Sequence, residues 1–215
     1  MTVRYGISII PEPTFTARVY RARQLICGQY GAWAAEMQML HMPLIEFFDC
    51  ASGSVDLISG GLGRIAKNIR DTARRFPLVS RGISYYDQIN NDVFLEFTVA
   101  NDPIDSRQKH LNDLWYKVLE LVESTNGTAI PDVNNLKLQY RPRINLMQLA
   151  LLPDSVFQSA VIFSEAVVQD LEIPNSTRVW QLQFIQYEST ADVESWNEGA
   201  WASDLSWKVL ESYSL

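Results

Sequence analysis

Polar and hydrophobic residues along the chain alternate with the period of a strand in some segments and with the period of a helix in others. Residues 3–10 alternate with the period of two expected of a strand, and the strand pattern stops at the prolines of 11–13. Residues 14–31 change to the period of a helix, and glycines close this segment. The apolar positions that form the helical pattern are Phe15, Val19, Ala22 and Ile26. The chain therefore begins with a strand followed by an amphipathic helix.

Strand and helix patterns continue to alternate up to the last residue. Helices are predicted over 53–76, 105–125 and 154–171, with Asp154 as the N-cap of the third. Strands are predicted over 39–48, 77–87, 92–100, 142–153, 177–189 and 201–215, with 88–91 as a hairpin turn. The glycine-rich stretch 59–68 lacks the spacing of a phosphate-binding loop, and we interpret it as a flexible entry to its helix.

The order of these elements limits the possible architectures. Since no low-complexity linker interrupts the chain, we expect residues 1–215 to form a single domain of the α+β class. Two mainly antiparallel sheets, each with helices on its outer side, accommodate the predicted elements. A fully parallel, doubly wound sheet is the alternative, but the hairpin and the strands near the C-terminus argue against it.

The charge and hydropathy of the chain limit the possible partners. A formal net charge of -7 argues against a broad groove for long nucleic acids, because a basic surface supplies most of the affinity for their phosphates. A small phosphorylated ligand held by a few residues remains compatible with this charge. No apolar stretch approaches the roughly 20 residues of a membrane span, and the N-terminal residues lack a signal-peptide pattern. We therefore expect a soluble, cytoplasmic protein without membrane association.

Neither the cysteines nor the carboxylates of the sequence indicate a metal centre. Cys27 and Cys50 lie in apolar surroundings without metal-ligand spacing, as expected of small buried residues in a reducing compartment. The carboxylates closest to the predicted strands show no ligand pattern either and are expected to be solvated; they are Glu46, Asp49, Asp87 and Asp92. We expect neither a metal nor a cofactor.

Two predicted strands place a nitrogenous side chain near their centre. His41 interrupts the apolar run 39–48, where strand alternation predicts that His41, Pro43, Ile45 and Phe47 share one face and that Met42, Leu44 and Glu46 share the other. Far downstream, Arg143 and Asn145 share a face of the strand 142–153 in the same way. His-Met-Pro-Leu at 41–44 can thus be superposed on Arg-Ile-Asn-Leu at 143–146. A buried histidine with a satisfied hydrogen bond is the alternative explanation for His41.

These two segments and the order of elements around them resemble the 2H phosphoesterase superfamily, which includes bacterial 2'-5' RNA ligase-like proteins and cyclic nucleotide phosphodiesterases. Members have two His-x-Thr/Ser motifs, one in each of two pseudo-symmetric lobes, and the motifs meet in a central groove. The resemblance covers nearly the whole chain, from the first strand to the closing segment "WKVLESYSL" at 207–215. It implies a bilobal, pseudo-symmetric 2H-phosphoesterase-like fold around such a groove.

The motif positions depart from the family pattern in a chemically definite way. Only His41 matches a catalytic histidine, while Arg143 stands in place of the second. Pro43 and Asn145 stand where the family has hydroxyl residues, and proline has no hydrogen-bond donor. Arginine stays protonated and cannot transfer a proton, but it can bind phosphate through two parallel hydrogen bonds. The resemblance therefore implies a degenerate site in which His41, Arg143 and Asn145 bind a phosphate and His41 alone remains as a catalytic residue.

The remaining candidates have structural explanations that compete with functional ones. His110, the second of the two histidines, is expected on a solvated helix face rather than in the site. Of Tyr85 and Tyr86, at most one could stack on a base, because neighbouring strand residues face opposite ways. Three C-terminal tryptophans could cover a hydrophobic edge or form a surface for a protein partner; they are Trp196, Trp201 and Trp207.

Three functions follow from these residues. The first is a degenerate phosphoesterase-like protein that binds a small phosphate-bearing ligand, a cyclic nucleotide or an RNA end, between its lobes. The second is a weakly active cyclic phosphodiesterase with His41 as its single acid or base and Arg143 stabilising the developing charge. The third is a non-catalytic interaction or scaffold protein that keeps the fold and uses its acidic surface and terminal tryptophans.

Overall fold

The computed structural model describes residues 1–86, 91–98, 109–131, 133 and 140–215. Its strands are β1 (Thr2–Pro11), β2 (Met42–Cys50), β3 (Pro77–Tyr86), β4 (Asp92–Phe97), β5 (Thr128–Ala129), β6 (Arg143–Met147), β7 (Ser176–Ser189) and β8 (Ser206–Ser214). Its helices are α1 (Pro13–Tyr30), α2 (Val55–Ala73), α3 (Lys109–Ser124), α4 (Asp154–Asp170) and the short α5 (Val193–Asn197). Each strand and helix that the sequence predicts is present in this part of the chain.

Several predicted boundaries are wrong. The strand predicted over 142–153 ends at Met147, and the positive φ angles of Leu149 and Leu151 interrupt the extended conformation after that point. The strand predicted over 201–215 begins at Ser206, after a 3₁₀ turn at Ala200–Ser203. Asp154 is the first residue of α4 and not its N-cap, which is Pro153. Most of the predicted turn at 88–91 and the first residues of the helix predicted over 105–125 lie outside the described residues.

The described strands pair only in antiparallel fashion, so the alternative of a parallel doubly wound sheet is wrong. The strand order is β5-β2-β1-β7-β3-β4-β6, and β8 pairs with β7. Most of β7 lies between β1 and β8, whereas only its first residues, Ser176, Thr177 and Arg178, pair with β3. The described strands thus form one continuous eight-stranded sheet. Its halves, β5-β2-β1-β7-β8 and β3-β4-β6, join at the beginning of β7 and correspond to the two predicted sheets.

Each sheet has its own pair of helices. Helices α2 and α3 pack against each other and against the first sheet, through β2, β7 and β8. Helices α1 and α4 pack against each other and against β6 and β3 of the second sheet. The predicted α+β class, with outer helices and two lobes, is thus confirmed. No helix in the described part of the chain combines the length and the apolar character needed to cross a membrane.

The glycine-rich stretch 59–68 lies within α2, so its interpretation as a flexible entry to the helix is wrong. Gly61 is buried where α2 meets α3, and a Cβ atom at this position would collide with the Leu121 side chain. Gly63 faces Tyr213, whose Cε1 would lie 3.3 Å from an added Cβ. These glycines allow α2 to approach its neighbours closely.

Two hydrophobic clusters cover opposite faces of β7, because its side chains alternate. Leu182 and Phe184 belong to the main core beneath the helices, which also includes Ile7, Leu62, Leu114, Ile144 and Phe157. Ile185 and Tyr187 face the other way and pack with Trp196 and Trp201. These two tryptophans are 1% and 3% exposed, whereas Trp207 is 43% exposed. Covering a hydrophobic surface is therefore the structural role of Trp196 and Trp201.

Candidate functional site

His41 lies directly before β2, and its side chain is almost completely buried. Its Nδ1 is 2.6 Å from the carbonyl oxygen of Met39, so Nδ1 carries the proton and donates it in a hydrogen bond. Burial lowers the pKa of His41 to about 4; the bond to Met39 opposes this shift and the nearby Arg23 guanidinium adds to it. The imidazole is therefore neutral at pH 7, with an unprotonated Nε2.

The backbone of β2 does not keep the alternation that the sequence predicts. Its pairing with β1 shifts twice, between Tyr5 and Ile7 and between Ile7 and Ser8, as β-bulges do. Phe47 has a φ angle of 55°, in the left-handed region. As a result, Ile45 packs in the main core with Met42 and Leu44, while Phe47 joins the cluster around Trp196. The predicted face shared by His41, Pro43, Ile45 and Phe47 is therefore wrong.

Arg143 and Asn145 lie on β6, the strand of the second sheet that contacts β2. The Arg143 guanidinium carbon lies 5.6 Å from the ring centroid of Tyr86 and 5.4 Å from that of Phe94, so two aromatic rings hold this side chain. Asn145 is buried, and its Nδ2 donates to Gln148 Oε1 at 3.2 Å. Arg143 Nε and Asn145 Oδ1 are both buried without a hydrogen-bond partner among the described residues.

Glu46 is a largely buried carboxyl group beside His41. Its Oε1 lies 3.9 Å from His41 Nε2. Burial raises the pKa of Glu46, and the charge of Arg143 is the largest influence that lowers it again. Tyr187, whose hydroxyl is buried without a partner among the described residues, also lies near Glu46, and burial and this carboxylate raise the pKa of Tyr187. The expectation of a solvated Glu46 is therefore wrong: its side chain is only 19% exposed and lies beside His41.

Arg23 of α1 connects the segments that contain the candidate residues. Its Nε donates to the Asn145 carbonyl at 2.9 Å, and its NH1 group donates to the carbonyls of Ala35 and Gln38 at 2.8 and 3.0 Å. The side chain is 2% exposed. One guanidinium thus joins β6 to the segment that leads into His41. The sequence analysis missed this role, and an arginine one position after the apolar Ala22 on a helix was the available signal.

Two cavities open beside these residues. One, of about 480 Å³, is lined by Glu46, Phe47, Gln148, Trp196 and Trp201 among others. The other, of about 580 Å³, is lined by Gln38, Met39 and Leu40, which precede His41, and by aromatic residues such as Tyr20 and Trp207. Glu46, which neighbours His41, and Gln148, which accepts from Asn145, line the same cavity. His41, Arg143 and Asn145 do not themselves line either cavity, so the open space reaches their neighbours rather than the three predicted site residues.

Other residues singled out in the sequence lie elsewhere. His110 is half-buried, with its ring centroid 5.8 Å from that of Phe76, so it is not on a fully solvated face. Tyr85 contacts Phe157 of α4, whereas Tyr86 contacts Phe94 and Arg143, so neighbouring residues do face opposite ways. Cys27 and Cys50 are both free thiols, the first buried and the second half-buried. Among the described residues, no group of three or more potential ligands could hold a metal ion.

Solved structures that cover almost the entire chain have the same fold. TT0787 of Thermus thermophilus is 14% identical, with a TM-score of 0.60 over 99% of this chain and 97% of that one. LigT of E. coli complexed with 3'-AMP is 12% identical, with a TM-score of 0.55 over 99% and 97%. LigT complexed with phosphate is 11% identical, with a TM-score of 0.52 over 99% and 96%.

Comparison at the level of sequence gives no match: no protein-family model and no curated protein matches the chain. The structural likeness, at such low identity, therefore concerns the fold. Its extent over both chains excludes a match that is limited to one sheet and its helices. The chain has the bilobal α+β fold of the 2H phosphoesterases, as the order of its sequence elements predicts.

Proposed function

We propose that the groove binds a small phosphate-bearing ligand, such as a cyclic nucleotide or an RNA end, and that catalysis there is weak or lost. Arg143 anchors the phosphate, Asn145 contributes a further hydrogen bond, and the unprotonated Nε2 of His41 accepts a hydrogen bond from a hydroxyl group of the ligand. The fold supports this assignment, since LigT, which shares it, has been solved with 3'-AMP and with phosphate. The proposal extends that ligand class to this chain.

The observation that carries the proposal is the pair of unpartnered polar atoms on β6. A buried donor or acceptor without a hydrogen bond costs about 1–3 kcal/mol, and within the described part of the chain Arg143 Nε and Asn145 Oδ1 are both in that condition. A phosphate oxygen would satisfy Arg143 Nε directly. A rotation of the Asn145 amide by 180° would direct its NH₂ group at the ligand and its Oδ1 at Gln148. The present bond from Asn145 Nδ2 to Gln148 Oε1 would then be replaced by one that the Gln148 amide donates to Oδ1.

Weak catalysis follows from the proton-transfer groups at these positions. Arg143 cannot release a proton at physiological pH, so the family's second histidine has no equivalent on β6. His41 is neutral, but a pKa of about 4 makes it a poor base at pH 7. A single positioned acid or base contributes about 10²–10⁴ in rate, and His41 can supply only part of that.

A weakly active cyclic phosphodiesterase is the second candidate, favoured by one observation. The hydrogen bond from His41 Nδ1 to Met39 O fixes the ring and its tautomer, which leaves the lone pair of Nε2 available. This is the arrangement that a general base needs. Hydrolysis of a 2',3'-cyclic nucleotide that depends on His41 would distinguish this enzyme from a protein that only binds.

Calorimetric titration with 2',3'-cyclic AMP tests the proposal. We expect binding by the wild type, an affinity loss of about tenfold or more in Arg143→Met because charge-assisted hydrogen bonds disappear, and no change in Arg70→Met, which removes an exposed arginine of α2. Equal binding by Arg143→Met, or no binding at millimolar nucleotide, contradicts the proposal. Phosphorus NMR of the same mixtures measures turnover, and His41→Gln identifies any turnover that depends on the imidazole.

A further inference from the structure

A third cavity, of about 380 Å³, lies where the two sheets join and shares no lining residue with the groove cavities. Three arginines and one histidine line it: Arg74, Arg75, Arg178 and His110. The other lining residues are Ala73, Phe76 and Pro77. A basic cavity of this kind is unexpected in a chain with a formal net charge of -7.

The fold brings these four residues together from separate elements. Helix α2 ends at Ala73, and the chain reaches β3 through Arg74 and Arg75, where Arg75 takes a φ angle of 51°. Pro77, the first residue of β3, pairs with Arg178 of β7. His110 lies in the first turn of α3 and its ring rests against Phe76. The cavity therefore lies between the end of α2, the first turn of α3 and the strands β3 and β7.

The guanidinium groups of this cavity have no acidic partner among the described residues. Within the described ranges, none of Arg74, Arg75 and Arg178 has a carboxylate at ion-pair distance. Arg75 Nε is buried without a hydrogen bond to a described residue. Like charges that gather around one cavity destabilise a fold unless a counter-charge is present. The cavity therefore has the electrostatic character of an anion site.

Arg75 is also held in place before any ligand arrives. Its guanidinium carbon lies 3.9 Å from the ring centroid of Trp180, the distance of a close stack. A non-glycine residue at positive φ is uncommon and persists where the surrounding structure requires it. A stacked guanidinium keeps its edge free for two parallel hydrogen bonds to phosphate oxygens. Because Arg75 is already held in place, its side chain loses less conformational freedom when a ligand binds, which favours binding.

We propose that this cavity is a second anion site, which takes a phosphate-bearing small molecule with more than one negative charge, such as inorganic pyrophosphate. Arg75 forms the fixed bidentate contact, while Arg74 and Arg178 neutralise the remaining charge and His110 donates from the wall formed by α3. The volume is at the lower end of the roughly 300–1,000 Å³ of ligand pockets, which suits a diphosphate group better than a whole dinucleotide. The site is independent of the groove and of the function proposed there.

Titration with pyrophosphate at low ionic strength, by calorimetry and thermal shift, tests the site. We expect pyrophosphate at about 1 mM, a concentration chosen to give a measurable shift, to raise the melting temperature. Arg75→Met/Arg178→Met should lose affinity by about tenfold or more. Arg64→Met/Lys67→Met, which removes two exposed charges of α2 outside the cavity, should bind as the wild type does.

Two further variants separate the possible outcomes. Arg143→Met removes the proposed phosphate anchor on β6, and in this background Arg75→Met/Arg178→Met should still cause its loss of pyrophosphate affinity. Loss of all pyrophosphate binding in Arg143→Met alone would assign the ligand to the groove and overturn the second site. Arg178→Met alone, at an exposed position, should reduce the affinity even if the double variant folds poorly. Binding that persists in Arg178→Met and in the folded double variant, or no binding by the wild type, also overturns the proposal.

Discussion

His41 and Glu46 face each other at a distance of 3.9 Å between Nε2 and Oε1, in an interior where burial disfavours the charged form of both. Nδ1 of His41 is committed to Met39, so Nε2 presents a lone pair towards the carboxyl group. A proton on Glu46, or a donor between the two groups, makes this contact favourable. Burial therefore favours a neutral imidazole and a protonated Glu46, which can donate a hydrogen bond to Nε2.

Stability should fall with decreasing pH because of His41. The imidazole has a pKa of about 4 in the native protein, against 6.5 ordinarily. As the pH falls from 6.5 to 4, the unfolded chain binds a proton that the native state does not, so the stability present above pH 6.5 is lost. The shift corresponds to about 3 kcal/mol. Urea unfolding of the wild type and of His41→Gln across this range measures it.

Between pH 6.5 and 4, the free energy of unfolding of His41→Gln should fall by about 3 kcal/mol less than that of the wild type. His110→Gln is the matched control, since it removes the chain's other histidine. An unchanged slope in His41→Gln would show that the imidazole of the native protein titrates normally.

Glu46→Gln should tighten the binding of a cyclic nucleotide, because it removes a negative charge that repels the anionic ligand. At an effective dielectric constant near 20, the gain in affinity should be about tenfold. Burial raises the pKa of Glu46, so its negative charge appears as the pH rises through the native value, and affinity should fall over that range. The cyclic phosphodiester keeps one charge throughout. Calorimetry at several pH values compares Glu46→Gln with Glu165→Gln, an exposed control on α4. A pH dependence that survives in Glu46→Gln would exclude this carboxylate as its source.

Arg23→Met should destabilise the protein by about 3–5 kcal/mol, the effect of breaking a buried charged interaction. The three carbonyl groups of Asn145, Ala35 and Gln38 would lose their donor, and the segment before His41 would lose its connection to β6. Arg21→Met, two residues earlier on the exposed side of α1, should change stability by less than about 0.5 kcal/mol. Chemical unfolding of the two variants provides the comparison, and equal values would contradict the proposed connection.

Gly6→Ala should destabilise the first sheet by about 1–3 kcal/mol, because a Cβ atom has no room there. It would lie 2.9 Å from Tyr187 Cε2 and 3.5 Å from the Ile45 carbonyl oxygen, next to Glu46. Gly28→Ala is the contrasting change: it lies in α1 with its nearest atom at 3.8 Å, and alanine should stabilise the helix by about 0.5–1 kcal/mol. Melting temperatures that move in the same direction for both would refute the steric argument.

We also propose that residues 1–215 unfold as one domain, in a single transition. Strand β7 belongs to both sheets, and the main core contains residues of both lobes, such as Ile7 and Ile144. Far-ultraviolet and near-ultraviolet circular dichroism should give coincident unfolding curves. Two separated transitions would show that the lobes are independent units.

The sequence by itself determined the order of elements and the fold class, because alternation and helical periodicity report which residues must be buried. It also singled out His41 and Arg143, although the structure has His41 directly before β2 and Arg143 as the first residue of β6. Such patterns are local, and they survive in β2 and β6. The boundaries failed where backbone angles change without a compositional signal, as at Leu149 and Leu151.

Only the tertiary structure decided which side chains meet. Two bulges in β2 turned Ile45 into the core and left Glu46 beside His41, which simple alternation cannot indicate because it assumes an undistorted strand. Helix α2 needs a glycine at position 61 because the side chain of Leu121, far along the chain, fills the space that a Cβ atom would take. Arg23 became the link between both motifs through carbonyl groups that no residue pattern specifies. These relationships depend on long-range packing and on bends of the backbone. The residue periodicity of a single segment predicts neither.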